Sequence, residues 1–550
     1  MAERPPTIAE IERYVRSGTL SRRQLIAALA GMGFTAGGLA GLLGTDIPTA
    51  WSADAAARYL VLIVLDAFRP DYMRLAPMPA LTALMREGAT YDRAWVGQLE
   101  SYTPTGHASL STGALPRRDG VIGFEWRDPV TNTELLDAWP DQTVAGRLEK
   151  DLKESGTASI PAAIKAADPA AVVVSLSSEK VYAADAMGGP AADYILYHWR
   201  PSAGPRALLP TAMAGHTPPP SFFDHPMLTA RWPLSHFTDW DWLSGMLALT
   251  AFEVFRPRAL LINLPGADAY GHPYGGPATP TLMARVVAGL DRNIARVVAA
   301  YKSAGIYDQT LFVVTADHGM VPNTQTVDGT ATRAAVKSAG GKYFFHTGGT
   351  AADIYLHNPS RARAVSAAMR QLHGVAAAYS HQRSGSAFEY VPAPGQSLAP
   401  DLDAAYRYLL STFDGAAAPD VVAPFHENTI GRAYDRAYGD HGGLSWGTQH
   451  IPLVLRGPGV KNGAQSHYPA RLIDVAPTVL RLLGLPPAAM DGAVLADALL
   501  DPTAAEISSQ AANASDLTSH QNALMEQSTR DIRWYRKNRI EAPPSATPQP

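Results

Sequence analysis

The chain contains no cysteine in 550 residues. That one absence excludes disulfides, thiol nucleophiles and thiolate metal sites together, so any metal must be held by His, Asp and Glu. An excess of one charge is missing too: 46 Lys and Arg against 50 Asp and Glu leave a net charge of −4, and the pI is near 6.5. No nucleic-acid-binding module held by bulk basic charge is expected. Long uncharged runs are also scarce, and the one that stands out is "TLSRRQLIAALAGMGFTAGGLAGLL". There Arg22 and Arg23 precede about 20 uncharged residues, just enough to span a bilayer, and "TAWSADAAA" then offers small-residue cleavage sites. This is the pattern of a twin-arginine export signal. Residues 1–57 are therefore set apart from the fold, with the twin-arginine export machinery as the expected partner. The expected location is periplasmic, cell-surface or extracellular, with membrane contact only if the segment stays uncleaved.

What the chain does have, 46% hydrophobic and 17% charged residues, suits a globular core. "RYLVLIVLDAFRPDYM" reads as an apolar strand from about Tyr59 to Leu65 that ends on Asp66. Helical spacing of Leu81, Leu84 and Met85 follows and stops at Gly88. A second run, Ala259 to Leu264, leads into a glycine-rich loop with Asp268 and His272. In a third, "LFVVTADHGM", the strand gives way to Asp317 and His318. Strands buried on both faces read as continuous apolar runs, alternation with helices implies a doubly wound, mainly parallel α/β sheet, and ligands bind beyond the carboxyl ends of its strands. The polar residues at those ends mark the site.

"ESYTPTGHASLSTG" places Thr103 before Pro104, the spacing of a helix N-cap and first helical residue. A hydroxyl there faces the positive end of a helix, which favours an alkoxide or a phosphate. In "YGDHGGLSWGTQHIPLVLRG", His441 lies among glycines ahead of a strand. Asp440 is placed to orient it, and His450 reads as a packing or hydrogen-bonding residue.

The ordered series "LIVLDAFRPD", "TPTGH", "ADAYGH", "TADHGM" and "GDHGG" resembles the alkaline phosphatase superfamily, and within it the type I phosphodiesterase and nucleotide pyrophosphatase family. The resemblance implies two zinc ions, or other divalent metals, and a nucleophilic threonine at Thr103. It implies Asp268, His272 and His441 as ligands of one metal, and Asp66, Asp317 and His318, with the Thr103 oxygen, as ligands of the other. The implied activity is hydrolysis of phosphate esters through a phosphothreonine intermediate. Sulfatase chemistry is disfavoured, since no C/S-x-P/A-x-R setting surrounds Thr103. The alternatives are a phosphomonoesterase of the same fold, a lipid head-group phosphotransferase, and a catalytically silent metal-loaded binding protein.

The sequence departs from these relatives at the substrate. Where they often carry an Asn in a "GIxxN" stretch, "GVIGFEW" has Phe124; where monoesterases tend to have Lys and Arg two residues apart, "SSEKVYAAD" has Lys180 and Tyr182. Phe124, Lys180 and Tyr182 are thus the candidate substrate-binding residues, Trp126 could join them as aromatic surface, and diesters or nucleotide pyrophosphates are the preferred substrates. The expected catalytic domain runs over 58–500, with a cap insertion over about 322–438 that resemblance to the family implies. Within it "SAFEYVPAPGQSLAPDL" reads as a loop. Pro201 to Trp242 reads as surface loops carrying His216, His225 and His236, and 501–550 as a polar, solvated tail.

Overall fold

Tyr59–Leu65 is apolar along its whole length because it is the middle of a sheet covered on both sides; Leu60 to Leu65 are all buried. The computed structural model describes residues 56–128, 135–137, 147–199, 209–229, 238–384, 387–413, 415–432, 436–538 and 540–541, and residues 56–550 form one unit. The segment read as an export signal lies, up to residue 55, outside the described residues. Among those described, no helix is long and apolar enough to cross a membrane.

The main sheet has nine strands in the order Ala464–Ser466, Ala89–Tyr91, Leu453–Arg456, Thr310–Thr315, Tyr59–Leu65, Ala259–Leu264, Val173–Ser177, Tyr194–Trp199, Leu209–Ala212. Its central five, from Thr310–Thr315 to Tyr194–Trp199, run parallel. Leu453–Arg456 is antiparallel to both of its neighbours. The helices pack in two groups. Pro79–Arg86, Thr238–Phe255 and Pro280–Ser303 form one; Thr103–Thr112, Val181–Gly188 and Val475–Leu482 form the other. This is the doubly wound, mainly parallel arrangement expected from the alternation of strands and helices.

Between the two "DHG" turns, a second sheet of five antiparallel strands is ordered Tyr343–Gly348, Ala351–Leu356, Val421–Pro424, Tyr379–Ser384, Ala387–Pro392. The stretch read as a loop is thus a strand, Ala387–Pro392, and a helix, Pro400–Ser411. The aromatic and β-branched residues of "AFEYV" favour strand, and Pro400 starts the helix at its first position, where proline is tolerated. The Pro201–Trp242 stretch likewise contains an edge strand, Leu209–Ala212, and short helical turns. His216 is buried rather than superficial, its ring held between the Ala192 carbonyl at 2.6 Å and Glu149 at 3.0 Å. His225 is half-buried, 3.7 Å from Glu253, and His236 lies outside the described residues.

The segment read as a polar tail forms a helix of 34 residues, Ala504–Lys537, closed at its start by a capping box between Thr503 and Glu506. It buries a stripe of Gln510, Leu517, Gln521, Leu524, Ser528, Asp531 and Tyr535, and composition alone hides this stripe because most of it is polar.

A separate apolar cluster joins the cap to the loop ahead of Thr103, with Leu99, Trp126, Tyr355, Tyr379 and Phe413 among its members. A buried ion pair, Arg127 to Asp420 at 3.0 and 3.1 Å, reinforces it. At the same junction Glu100 is buried, and burial together with the neighbouring Asp353 pushes its pKa well above the usual carboxyl range. An acid with a raised folded-state pKa keeps a proton that the unfolded chain releases above about 4.5, so stability falls as pH rises beyond that value. Glu100→Gln, which preserves the shape of the protonated acid, should therefore raise the melting temperature relative to wild type, and by more at pH 9 than at pH 5. Parallel melting curves across that range would refute a protonated Glu100.

Candidate active site

Four neighbouring parallel strands end level with one another, and each hands polar side chains to the same place. Leu65 pairs with Leu264, Val64 with Thr315, and Ser177 with Asn263. Just beyond these pairs come Asp66, Asp268, Asp317 with His318, and Lys180.

Asp317 Oδ1 accepts the backbone N–H groups of Ala67 at 3.1 Å and His318 at 3.0 Å. Its Oδ2 is thereby turned towards His318 Nε2, 3.3 Å away, and His107 Nδ1, at 3.4 Å. Asp66 Oδ1 stands 3.7 Å from His318 Nε2, and Thr103 Oγ1 lies 3.1 Å from the same nitrogen. The second group converges on Asp268 Oδ1, which is 3.4 Å from His272 Nε2 and 3.3 Å from His441 Nε2. His318 and His441 stack with ring centres 3.7 Å apart. The two expected ligand groups therefore form one centre.

The three imidazoles share one device. His272 Nδ1 faces the Gly439 carbonyl at 2.7 Å, His318 Nδ1 that of Gly319 at 2.9 Å, and His441 Nδ1 that of Ser101 at 3.1 Å. A carbonyl can only accept, so each Nδ1 is the donor and each Nε2 is the nitrogen left to face the centre, where the neutral ring offers a metal its lone pair. Asp440 accepts the backbone N–H of His441 rather than its ring. It orients the turn, and its carboxylate can join His272 and His441 as a ligand group. Two oxygens in the centre, Asp268 Oδ1 and Asp317 Oδ2, are buried without a hydrogen-bond donor among the described residues. Orphaned carboxylate oxygens facing imidazole lone pairs fit a divalent metal, and the N and O donor set is one that zinc accepts.

Thr103 is the first residue of the helix Thr103–Thr112, and the cap position belongs to Tyr102 in extended conformation. The expected capping bond is absent. Its hydroxyl is directed instead at His318 and at the Lys180 ammonium, 3.4 Å away. The helix comes close to the Asp317 turn because position 106 is glycine: a Cβ there would lie 2.6 Å from the Asp317 carbonyl oxygen. Lys180, expected at the substrate, also bridges the carboxylates, 2.9 Å from Asp66 Oδ1 and 2.5 Å from Asp268 Oδ2. Burial opposes its charge, but Asp268 and Asp66 outweigh burial and hold its pKa well above the ordinary value. Burial pushes Asp66 and Asp317 each up to about 7, while Lys180 overcomes burial at Asp268 and holds it well below the usual range.

Three supporting residues escaped the sequence reading. Asn263 donates to Asp66 Oδ2 at 2.8 Å and approaches His107 Nε2 at 3.0 Å, and Ser177 donates to its carbonyl at 2.8 Å. His107 Nδ1 in turn meets the Thr103 carbonyl at 2.8 Å. The available signal was an Asn inside the apolar strand "ALLINL". Phe124 and Tyr182 are half-buried and meet edge to face, ring centres 5.2 Å apart; Phe124 also lies 5.4 Å from Tyr102, which is 5.5 Å from His441. These rings form a wall at the centre. Trp126 is absent from it, being buried in the cap junction. His450 stacks on Trp446 and meets the Asp92 carbonyl at 3.0 Å.

A mainly parallel sheet whose strand ends carry this centre defines a phosphoesterase of the alkaline phosphatase superfamily. The family model for type I phosphodiesterase / nucleotide pyrophosphatase matches residues 60–442, and the chain belongs to that family. It is 23% identical to alkaline phosphatase PhoD of Zymomonas mobilis, over 84% of this chain and 92% of that protein. Its fold is similar to the crystal structure of alkaline phosphatase PafA, with a TM-score of 0.63 and 14% identity over 81% of this chain and 99% of that one. It is also similar to murine ectonucleotide pyrophosphatase / phosphodiesterase 5, solved as an inactive variant with AMP, with a TM-score of 0.53 and 15% identity over 79% and 97% of the two chains.

Proposed function

We propose that this protein is an exported two-zinc phosphoesterase that cleaves phosphodiesters by transferring the phosphoryl group to Thr103 and then to water. The observation that carries this reading is the position of Thr103 Oγ1, at the head of a helix, 3.1 Å from His318 Nε2 and 3.4 Å from Lys180 Nζ. Asp66, Asp317 and His318 would hold one zinc and Asp268, His272 and His441 the other; together they supply Lewis acidity and a nucleophile at neutral pH. Thr103 Oγ1 gives up its proton and forms the new bond to phosphorus as one ester oxygen departs and is protonated to the alcohol, leaving the phosphoryl group on Thr103 with the second ester group still attached; water then cleaves the Thr103–phosphorus bond, releasing the phosphate monoester and restoring the hydroxyl. The helix N-terminus and the Lys180 ammonium place fixed positive charge beside the phosphoryl oxygens. His107 and Asn263 hold the Thr103 carbonyl and the Asp66 carboxylate, so the nucleophile and the ligand are set by one chain of hydrogen bonds.

With Phe124 and Tyr182 at the wall, Lys180 is the cation that this side of the centre offers a substrate. A monoester dianion asks for more positive charge than a diester, and a diester brings a second group that can lie against aromatic rings. That supports diesters as the better substrates. Export rests on Arg22 and Arg23 ahead of the uncharged run.

Three experiments test the reading. Thr103→Ala should lose turnover while the purified protein still binds about two zinc ions per chain; an undiminished rate would refute the nucleophile. On a matched aryl pair, kcat/KM should be higher for the phosphodiester than for the monoester, and the reverse order would move the assignment to a monoesterase. Replacing Arg22 and Arg23 by lysine should retain the protein in the cytoplasm, whereas continued export would rule out the twin-arginine route.

A further inference from the structure

The C-terminal helix Ala504–Lys537 is about 50 Å long at 1.5 Å per residue, and its last turns lie against residues that lead back to the catalytic centre. Asp531 Oδ2 accepts the backbone N–H of Glu427 at 2.9 Å, and its Oδ1 meets His426 Nδ1 at 3.0 Å. Tyr535 exchanges a hydrogen bond of 2.9 Å with Thr429. Two consecutive turns of the helix thus grip the segment 426–430, which follows the strand Val421–Pro424.

Glu427 is buried and points into the core. Its Oε2 accepts the Gly447 N–H at 3.3 Å, and its Oε1 meets Arg69 over that same glycine, where a Cβ would lie 2.3 Å from Glu427 Oε1 and 2.8 Å from Arg69 Nη1; the other side of the Arg69 guanidinium is held by Asp71 at 2.8 and 2.9 Å. Arg69 Nη1 donates to the Met320 carbonyl at 2.8 Å, and Gly319 N–H donates to the Thr448 carbonyl at 2.8 Å. Both bonds close on the turn that carries Asp317 and His318. Met320 extends the effect to the other ligand group: a Cβ on Gly271 would lie 2.1 Å from its sulfur, and one on Gly439 2.6 Å from it. Gly271 precedes His272, and the Gly439 carbonyl anchors the His272 ring. A shift of the 318–320 turn therefore displaces ligands on both sides of the centre.

We infer that the C-terminal helix is a strap that positions the catalytic centre, acting through Asp531, Glu427 and Arg69 on the Gly319–Met320 turn. None of these residues reaches the reacting atoms, so they are positioning residues. The inference deepens the phosphoesterase reading and rests on it only where turnover is the readout; backbone exchange reads the strap without it.

The test is a double-mutant cycle on the full-length, zinc-loaded protein with Asp531→Ala at the far end of the chain of contacts and Arg69→Met at the near end. Each single variant should lower kcat on an aryl phosphodiester by about 10- to 100-fold, the usual cost of losing an outer positioning partner, with KM changed by less than about twofold. Because both act through Glu427, the double variant should be no worse than the worse single. Hydrogen exchange of the amides of residues 317–321, measured also on the metal-free protein, should speed up in both variants while strand Ala259–Leu264 stays protected. Asp531→Glu, which keeps the carboxylate, should restore part of the lost kcat and of the protection at 317–321. Multiplicative losses in the double variant, or Asp531→Ala with kcat within about twofold and unchanged exchange at 317–321, would overturn the strap. If turnover is absent in wild type, the phosphoesterase reading fails, and the exchange result alone decides this one.

Discussion

The whole centre depends on one electrostatic constraint. Asp66, Asp268 and Asp317 are buried together at the ends of adjacent strands, where two like charges 4 Å apart at an effective dielectric of 20 repel by about 4 kcal/mol. Such a group persists only if positive charge lies within it. Lys180 supplies one such charge, touching Asp66 and Asp268 and lying near Thr103. Backbone N–H groups from Ala67 and His318 add partial positive charge at one oxygen of Asp317, and backbone carbonyls hold the Nδ1 proton of each imidazole away from the centre. What remains facing inward is a set of lone pairs, and a site made of lone pairs is a site for cations.

The parts of this design that obey a local rule were legible in the sequence. Tyr59–Leu65 and Ala259–Leu264 were bounded correctly because a strand buried on both faces is an unbroken apolar run, and the residue that breaks it is the one that leaves the sheet. That Asp66, Asp268, Asp317 and His318 lie at one place followed from strand ends lying side by side, whereas the grouping of Asp268 with His272 and His441, and of Asp66 with Asp317 and His318, came from the resemblance to the family. Less legible were residues whose role is set by a partner far away in the chain. Asn263 is one polar residue in an apolar strand, and only the fold shows that it touches both Asp66 and His107. Thr103 looked like a cap because Thr-Pro is a capping signature; with Tyr102 already extended at that position, its hydroxyl is free to face the centre.

Aromatic residues illustrate the same limit. Phe124, Trp126 and Tyr182 are alike in the sequence, yet two form a wall beside Tyr102 and His441 and the third is buried with Tyr355 and Phe413 in a separate apolar cluster. Strand alternation would put Phe124 and Trp126, two apart, on one face; they part because the strand Glu125–Arg127 starts only after Phe124, which lies in the bend at 123–124. The wall therefore inherits its rigidity from that cluster. A ring at Phe124 is held by Tyr102 and Tyr182, while two residues further on Trp126 pins the same segment to the cap.

The C-terminal helix shows why a polar composition does not imply a solvated segment. Its buried stripe repeats at intervals of three and four residues, as any docked helix must, but Gln510, Gln521, Ser528 and Asp531 stand where Leu would be expected. Three of these are bonded: Gln510 to Asp497, Gln521 to the Arg93 carbonyl, and Asp531 to His426 and Glu427. An apolar stripe would gain more from burial and could also settle one turn out of register, since hydrophobic contact is non-directional. Hydrogen-bonded positions do not tolerate that shift, because a slipped helix leaves buried polar groups without partners. A helix that places Asp531 against Glu427, in reach of both its backbone N–H and the His426 ring, therefore has its register fixed by hydrogen bonds rather than by adhesion.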